Sequence, residues 1–342
     1  MNKNLKNALK YSFFTVLLAF FLYLAFKDVN FDNLFEELKK TNYLYIILGA
    51  FIGVYIGSYI RAIRWQYLLD PLKEKININS LFSATMIGYM MNAAIPRAGE
   101  LIRPILIAKK ENISKASSIG TILVERIFDM LTMLIVFGLC LFYYREEISK
   151  AFGQYNIEAI SLYTSIIILI GVIIIIIMLF NIEKTDKIIE KISSRIFPVK
   201  IQDKIHKMFI SLINGFLFIK YPKSYFKIFI TSVLLWISYI LSTYVSFFAF
   251  NDPNMNKLDV FDANLILTMG TFAMTIPLPG NSAGTYHLFV KTALVGFFMV
   301  DKDVALGYAT VNHLVGLVFL VLIGLYYYLK ENYKLNTLKA EK

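Results

Sequence analysis

The chain has 342 residues, of which 57% are hydrophobic and 17% are charged, with a mean hydropathy of +0.60. Soluble globular domains are about 45–50% apolar and about 25% charged, so the composition excludes an ordinary soluble protein. Several apolar runs approach the roughly 20 residues that cross a hydrocarbon core about 30 Å thick. We therefore expect an all-α polytopic membrane protein.

The net charge of +11 raises the alternative of a nucleic-acid-binding protein. The basic residues, however, stand in loops beside apolar runs, as the positive-inside rule describes, so we expect no nucleic-acid partner. The single cysteine, Cys140, lies within an apolar run and excludes a disulfide framework. No histidine or carboxylate grouping has metal-ligand spacing, and no nucleotide-binding loop occurs. We expect neither a metal nor a cofactor.

Apolar runs follow one another along the chain, at residues 11–26, 43–63, 81–95, 117–143, 159–180, 226–250, 262–277, 284–300 and 303–329. The first run lacks a small-residue cleavage site after it, which predicts an uncleaved first helix. Two places differ from simple spans because prolines interrupt them: "IPRAG" at 95–99 and "IPLPG" at 276–280. We expect one transmembrane domain over 1–342, with about six spans and two re-entrant helical hairpins at about 81–108 and 262–300.

Lysine and arginine counts set the expected orientation. Basic residues follow the second run, including Arg61 and Arg64, and nine lie in the loop at 181–225. They fall on one side if each hairpin enters and leaves by the same face, which predicts cytoplasmic termini in a cell-membrane protein. The hairpins would then face opposite ways and form an inverted repeat. A hairpin and a pair of full spans give the same parity, so the charges do not distinguish them.

Six ionisable residues lie in or near the first hairpin and the next helix, and their formal charges sum to zero: Arg97, Glu100, Arg103, Glu125, Arg126 and Asp129. Such side chains in the bilayer core cost at least roughly 2.5–3.5 kcal/mol each, so they face a cavity or one another. In one interpretation the arginines, with Asn92 nearby, bind the phosphate or carboxylate of a lipid headgroup. In the other, the six form an ion-pair network that holds the hairpin against the 117–143 helix.

Polar residues also surround the second break. The candidate site residues there are Pro279, Gly280, Asn281, Tyr286, His287 and Lys291. His287 stands one helical turn before Lys291, and His313 interrupts the last apolar run. A histidine in such a place is either a packed hydrogen-bonding residue or a proton carrier.

Four stretches together resemble the membrane region of the lysylphosphatidylglycerol synthase/flippase family: "RAIRW" at 61–65, "NAAIPRAGELIRP" at 92–104, "SSIGTILVERIFD" at 117–129 and "PLPGNSAGTYH" at 277–287. The family's Pro-x-x-Gly-Glu-x-x-Arg pattern falls on Pro96, Gly99, Glu100 and Arg103, and its Glu-Arg-x-x-Asp pattern falls on Glu125, Arg126 and Asp129. The resemblance implies a membrane domain that binds phospholipid-like molecules and moves them between leaflets. Two positions depart from the family: Asn281 replaces a glycine, and His287 stands near the place of a glutamate.

We therefore expect a flippase-like protein, not an enzyme, whose partner is a phospholipid or a lipid-linked anionic substrate. One alternative is a membrane-embedded lipid-modifying transferase, or its lipid-presenting subunit, with the acids as base and the histidines as acid. Another is an assembly or anchoring protein that uses the basic loop. Because the sequence ends at Lys342 without an acyltransferase-like soluble domain, we do not expect lysyl transfer.

Overall fold

The computed structural model describes residues 3–144 and 224–331 and six single positions between them (163, 166, 170, 184, 187 and 191). Within these ranges the chain is helical apart from short connections, and no strand occurs. The helices are Lys3–Phe26 (α1), Phe31–Lys40 (α2), Tyr43–Leu69 (α3), Ile78–Ala94 (α4), Ala98–Glu111 (α5), Lys115–Tyr143 (α6), Tyr225–Phe247 (α7), Val260–Met274 (α8), Thr285–Phe298 (α9) and Lys302–Lys330 (α10). Apart from single positions and Ser224 and Tyr225, the run expected at 159–180 and the basic loop expected at 181–225 lie outside the described residues.

Three of the described helices are long and apolar enough to cross a membrane. These are α3, α7 and α10, with 27, 23 and 29 residues. At 1.5 Å per residue, even 23 residues extend about 35 Å, which exceeds the hydrocarbon thickness of about 30 Å. Shorter apolar helices occur at Thr15–Phe26 and in α8. The prediction of an all-helical protein with membrane-spanning helices is confirmed for the described part of the chain.

Both proline-containing stretches interrupt a helix. The first break lies between α4 and α5, and Arg97 within it has a φ of +62°. The second lies between α8 and α9 and contains a short helical element, Pro279–Ser282. Proline removes a backbone donor and clashes with the preceding turn, which explains why the helices end at these places. Each stretch is thus a helix–break–helix element.

The chain groups into two compact units. Unit 1 comprises Met1–Ala62, Phe82–Arg103 and Val233–Lys342, and unit 2 comprises Ile63–Leu81 and Pro104–Ser232. In unit 1, α9 packs against α1, α8 and α10, and α10 also packs against α2. Large buried side chains such as Phe247 and Tyr308 form part of its core.

A helix, α2, lies between the first two apolar runs, within residues 27–42. Asn30 caps the start of α2, because its side chain accepts hydrogen bonds from the N–H groups of Asp32 and Asn33. The Asp303 carboxylate, in the first turn of α10, accepts from the Asn30 N–H and from the Asn33 amide, both at 3.1 Å. These bonds join α2 to the start of α10.

Helices α3 and α7 approach closely along small residues in unit 1. The glycines of α3 face serines of α7 in antiparallel order, in the pairs Gly49–Ser246, Gly53–Ser242 and Gly57–Ser238. The Ser242 hydroxyl donates a hydrogen bond to the Gly49 carbonyl at 2.6 Å. Small residues let helix backbones approach closely. In a membrane this packing helps helices to associate, because lipid tails are as apolar as the side chains and there is no hydrophobic driving force between helices.

We expect Gly53→Ala to destabilise unit 1. A methyl group there would lie 2.6 Å from the Ser242 Oγ and 2.9 Å from its Cβ. Overpacking of this kind typically costs about 1–3 kcal/mol. The measurement is thermal unfolding in detergent, and Gly316→Ala is the matched control because a Cβ at Gly316 meets nothing within 4 Å. Equal stability of the two variants would show that α3 and α7 are not in close contact.

Candidate functional site

The two arms of the first helix–break–helix element meet with their backbones in contact. A Cβ added at Gly99 would lie 2.1 Å from the carbonyl oxygen of Gly88 in α4. The Asn92 side-chain oxygen accepts a hydrogen bond from the Gly99 N–H at 2.6 Å. Asn92 therefore satisfies one of the amide groups that the start of α5 leaves without an intrahelical partner. This hydrogen bond joins the last turn of α4 to the first turn of α5.

Arg97 joins the first break to the second. Its Nη2 donates a hydrogen bond to the Thr275 carbonyl oxygen at 3.0 Å, across 178 residues of sequence. Thr275 is the residue that ends α8, so its carbonyl belongs to the start of the second break. Both breaks lie in unit 1, and the side chain of Arg97 is exposed. The structure thus brings together the two similar stretches, "IPRAG" and "IPLPG".

The six charged residues expected to form one constellation are divided between the units. Arg97, Glu100 and Arg103 belong to unit 1, whereas Glu125, Arg126 and Asp129 belong to unit 2. Glu100 is half-buried in the first turn of α5, where the helix dipole favours a carboxylate. Arg103 is 3% exposed, with its Cβ beside Gly88.

Unit 2 contains a compact cluster of two arginines and two carboxylates. The Arg64 Nη2 lies 2.5 Å from the Asp129 Oδ1 and 3.9 Å from the Glu125 Oε1. The Arg126 Nη2 lies 2.8 Å from the Glu125 Oε1 and 3.2 Å from the Asp129 Oδ2. Arg64 also donates to the Ser232 hydroxyl at 3.2 Å. The formal charges of this charge cluster sum to zero.

Burial differs sharply within the charge cluster. The side chains of Arg64 and Glu125 are fully buried, whereas the Arg126 side chain is 37% exposed. Buried charges persist when they are paired and hydrogen-bonded, and here each arginine contacts both carboxylates. Arg126 is therefore the most exposed member of the charge cluster.

Arg64 was wrongly interpreted from the sequence as a loop residue. Charge counting placed it after the second span, but α3 continues to Leu69 and buries it. The signal that could have found it is helical spacing, because Trp65, Leu68 and Leu69 continue the buried face past the apolar run. The Trp65 indole N–H donates to the Thr121 hydroxyl of α6 at 2.9 Å. Within unit 2, Arg64 and Trp65 of "RAIRW" therefore contact the "SSIGTILVERIFD" stretch of α6.

Two buried histidines contact the second break. The His313 Nε2 lies 2.9 Å from the Gly280 carbonyl oxygen, and the His287 Nδ1 accepts from the Gly284 N–H at 3.2 Å. The two imidazole rings are 5.1 Å apart between centroids, and the Tyr286 ring is also 5.1 Å from His313. His313, although noted in the sequence, was not chosen as a site residue.

Three further residues were predicted as site residues at the second break. Pro279 begins the short element, and Asn281 within it has a φ of +57° and is half-buried. Lys291 is 8% exposed and its ammonium donates to the Ala25 carbonyl at 2.5 Å. Lysine at that place satisfies one of the last carbonyls of α1. Within the described ranges, no group of three metal-ligating side chains could hold a metal ion.

A protein-family model described as "Lysylphosphatidylglycerol synthase TM region" matches residues 8–324. The chain belongs to this family. The resemblance that four short stretches carry is confirmed, and the matched range includes the charge cluster and both helix breaks. This lysylphosphatidylglycerol synthase TM-region protein is therefore a membrane-embedded helical protein.

Two relatives are similar to parts of this chain. A UPF0104 membrane protein of Methanocaldococcus jannaschii is 30% identical over 118 residues, which are 33% of this chain and 35% of the relative. The glycosyltransferase AglD of Haloferax volcanii is 30% identical over 89 residues, which are 25% of this chain and 14% of the relative. The chain thus spans about a third or less of each relative's length. No solved structure matches the chain.

Proposed function

We propose that this membrane protein binds a phospholipid, or a lipid-linked substrate with an anionic headgroup, and moves it between the leaflets. The observation that carries the proposal is the Arg97–Thr275 hydrogen bond between the two breaks. Broken helices leave backbone N–H and C=O groups without intrahelical partners. In transporters such helix ends form substrate sites, and a guanidinium beside them suits a phosphate.

A bound headgroup would replace the Thr275 carbonyl as the hydrogen-bond partner of Arg97. In its present place the guanidinium donates to a neutral carbonyl, at an exposed position. A phosphate is anionic and can accept two parallel N–H bonds from the planar guanidinium, whereas the Thr275 carbonyl is neutral and accepts one. A phosphate would therefore compete for Arg97 and free the Thr275 carbonyl. Because this bond joins the two breaks, substrate binding would loosen the contact between the two helix–break–helix elements, which couples binding to conformational change.

The remaining candidate residues would support this cycle. Arg103 and Glu100 would orient the first arm next to Arg97, and Asn92 would keep the break closed through Gly99. In unit 2, Glu125 and Asp129 would hold Arg126 so that its half-exposed guanidinium offers donors to a lipid. We further propose cytoplasmic termini in the cell membrane, with both helix–break–helix elements as re-entrant hairpins.

We expect Arg97→Ala to slow lipid movement about 10- to 100-fold, which corresponds to losing a charged hydrogen bond of about 1.5–3 kcal/mol. The measurement is translocation of fluorescent phosphatidylglycerol and phosphatidylethanolamine in proteoliposomes. Arg97→Lys keeps the charge without the planar fork and should give an intermediate rate. Lys39→Ala, at a largely exposed side chain of α2, is the matched control and should match the unchanged protein.

Two outcomes would overturn this proposal. The first is lipid movement in proteoliposomes no faster than in protein-free vesicles. The second is an Arg97→Ala rate equal to that of Lys39→Ala.

The second candidate function is a lipid-modifying transferase or its lipid-presenting subunit. The observation that favours it is the 89-residue similarity to a protein named as a glycosyltransferase, although this covers only 14% of that relative. Lipid analysis by mass spectrometry after expression in a host without the gene separates the two functions. A new lipid species that disappears with Glu125→Gln would favour the transferase, whereas an unchanged lipid profile would favour translocation.

A further inference from the structure

The second break has an unusual backbone. Gly280, Asn281 and Ser282 have φ values of +66°, +57° and +62°, and Gly284 has a φ of +84°. For non-glycine residues this left-handed region is sparsely populated and costs of the order of 1–3 kcal/mol each. Such a conformation persists only where its surroundings hold it in place.

Two histidines hold the two ends of this turn. His313 reaches from α10 to the Gly280 carbonyl, and His287, in the first turn of α9, reaches back to the Gly284 N–H. The Ser282 hydroxyl, between them, donates to the Ile276 carbonyl at 2.8 Å. Both imidazoles are more than nine-tenths buried. His313 therefore donates a hydrogen bond at one end of the turn, and His287 accepts one at the other end.

The hydrogen bonds define which nitrogen of each neutral ring carries the hydrogen. A neutral imidazole has one N–H donor and one acceptor nitrogen. Because the His313 Nε2 faces a carbonyl oxygen, this nitrogen carries the hydrogen, and Nδ1 is the atom that a proton would add to. Because the His287 Nδ1 accepts from an amide, its Nε2 carries the hydrogen. A proton can reach the His287 Nδ1 only if the Gly284 bond breaks.

We propose that His287 and His313 form a proton-binding site that opens the second break when His287 is protonated. The proton comes from water and bonds to the His287 Nδ1, and the hydrogen bond from the Gly284 N–H is lost in the same step. The His313 bond to Gly280 survives protonation of either ring. This inference rests on the proposed function in one respect, since it makes lipid movement depend on a proton.

Repulsion between the two imidazoles restricts the site to one added proton, and the other elements packed against it bring further groups close. From α10, His313 lies 5.1 Å from His287, and a second positive charge at that distance is unfavourable. From α9, Tyr286 packs beside both rings, and Lys291 stands one turn further on. From α1, the Phe26 ring lies 6.2 Å from His287.

Asp28 and Asp303 act electrostatically on Lys291, together with Lys27 and Lys302. At the start of the break, Arg97 contacts Thr275.

The first test detects the proton without any lipid transport. The chain has three histidines, so selective 15N-histidine labelling of the full-length protein in nanodiscs gives few signals. His287→Asn and His313→Gln assign them. We expect both rings as the Nε2–H form at pH 8, and uptake of one proton by the pair as the pH is lowered to 4.5, with a shift of the Gly284 amide. An Nδ1–H form at His287 at pH 8, no uptake, or uptake at His313 alone with the Gly284 amide unshifted overturns the inference.

The second test links the proton to lipid movement. In proteoliposomes we expect the translocation rate to rise as the pH falls from 8 to 5, by up to about tenfold per pH unit for a one-proton step. Asparagine at 287 can still accept from Gly284, and glutamine at 313 can still donate to Gly280, but neither titrates. His287→Asn should therefore remove the pH dependence, whereas His313→Gln should shift the pH at which the rate changes.

The two tests separate this inference from the proposed function. Lipid movement that is independent of pH, or that keeps its pH dependence in His287→Asn, overturns the proton-binding role while lipid translocation stands. Proton uptake by the pair without lipid movement supports the site and contradicts translocation. If both variants unfold, a His206→Gln variant identifies the two remaining signals as those of the pair, and these still show whether it takes up a proton.

Discussion

Replacing Gly99 with valine is expected to abolish folding of the first helix–break–helix element. Even the Cβ of alanine would lie 2.1 Å from the carbonyl oxygen of Gly88 and 2.5 Å from its carbonyl carbon. Both are backbone atoms of α4, so no side-chain rotation can relieve the clash. We expect Gly99→Ala to lose at least the roughly 1–3 kcal/mol typical of overpacking. Valine adds two methyl groups and should yield no monodisperse protein.

The measurement for Gly99 is the yield of monodisperse protein in detergent, followed by thermal unfolding of what is obtained. Gly138→Ala and Gly138→Val are the matched controls, because Gly138 also lies within a helix and a Cβ there meets nothing within 4 Å. These controls should retain the normal yield. A Gly99→Val protein with unchanged unfolding temperature would mean that α4 and α5 do not cross at Gly88 and Gly99.

Removal of the Arg64 guanidinium is expected to destabilise unit 2 severely. Arg64→Ala leaves the fully buried Glu125 and the largely buried Asp129 without one of their two cations. Breaking a buried ion pair by removing one partner typically costs about 3–5 kcal/mol. Arg126 is more than a third exposed, so Arg126→Ala should cost less than Arg64→Ala, although it removes the cation that lies 2.8 Å from the buried Glu125. Thermal or denaturant unfolding in detergent measures both.

A double replacement distinguishes the charge cluster from general packing effects. In Arg64→Met with Asp129→Leu, the cation and the nearest anion are removed together, and apolar groups of similar size replace them. We expect the double variant to be more stable than the sum of the two single losses predicts, because neither charge is left without the other. Strict additivity of the losses would contradict the pairing of Arg64 with Asp129.

The positions of most helices could be predicted because apolar length and proline are local signals. The run at 303–329 became Lys302–Lys330, and the break predicted at Pro96 occurs between Ala94 and Ala98. The α2 helix was missed because its ten residues carry few apolar positions and are stabilised by Asn30 and by Asp303 of α10. Arg64 was misplaced because charge counting treats every arginine as a loop marker, whereas a buried partner can hold it within a helix.

The contacts of the two helix breaks could not be predicted from the sequence. The bond between Arg97 and Thr275 joins residues 178 positions apart, and no local pattern encodes such a partner. The left-handed turn at Gly280–Gly284 depends on His313, which lies on another helix. The motifs identified the stretches that contain the charge cluster and the two helix breaks, but the pairing of their side chains depends on how the helices pack.

The charge cluster of unit 2 has a consequence for the electrical behaviour of the protein. A membrane potential does about 2.3 kcal/mol of work on each elementary charge per 100 mV that the charge crosses. Arg64 and Arg126 carry two positive charges, and Glu125 and Asp129 carry two negative ones within hydrogen-bonding distance of them. When the four side chains move together along the membrane normal, the net charge displaced is zero. The resting potential of a cell therefore neither drives nor opposes a rearrangement of these helices through this cluster.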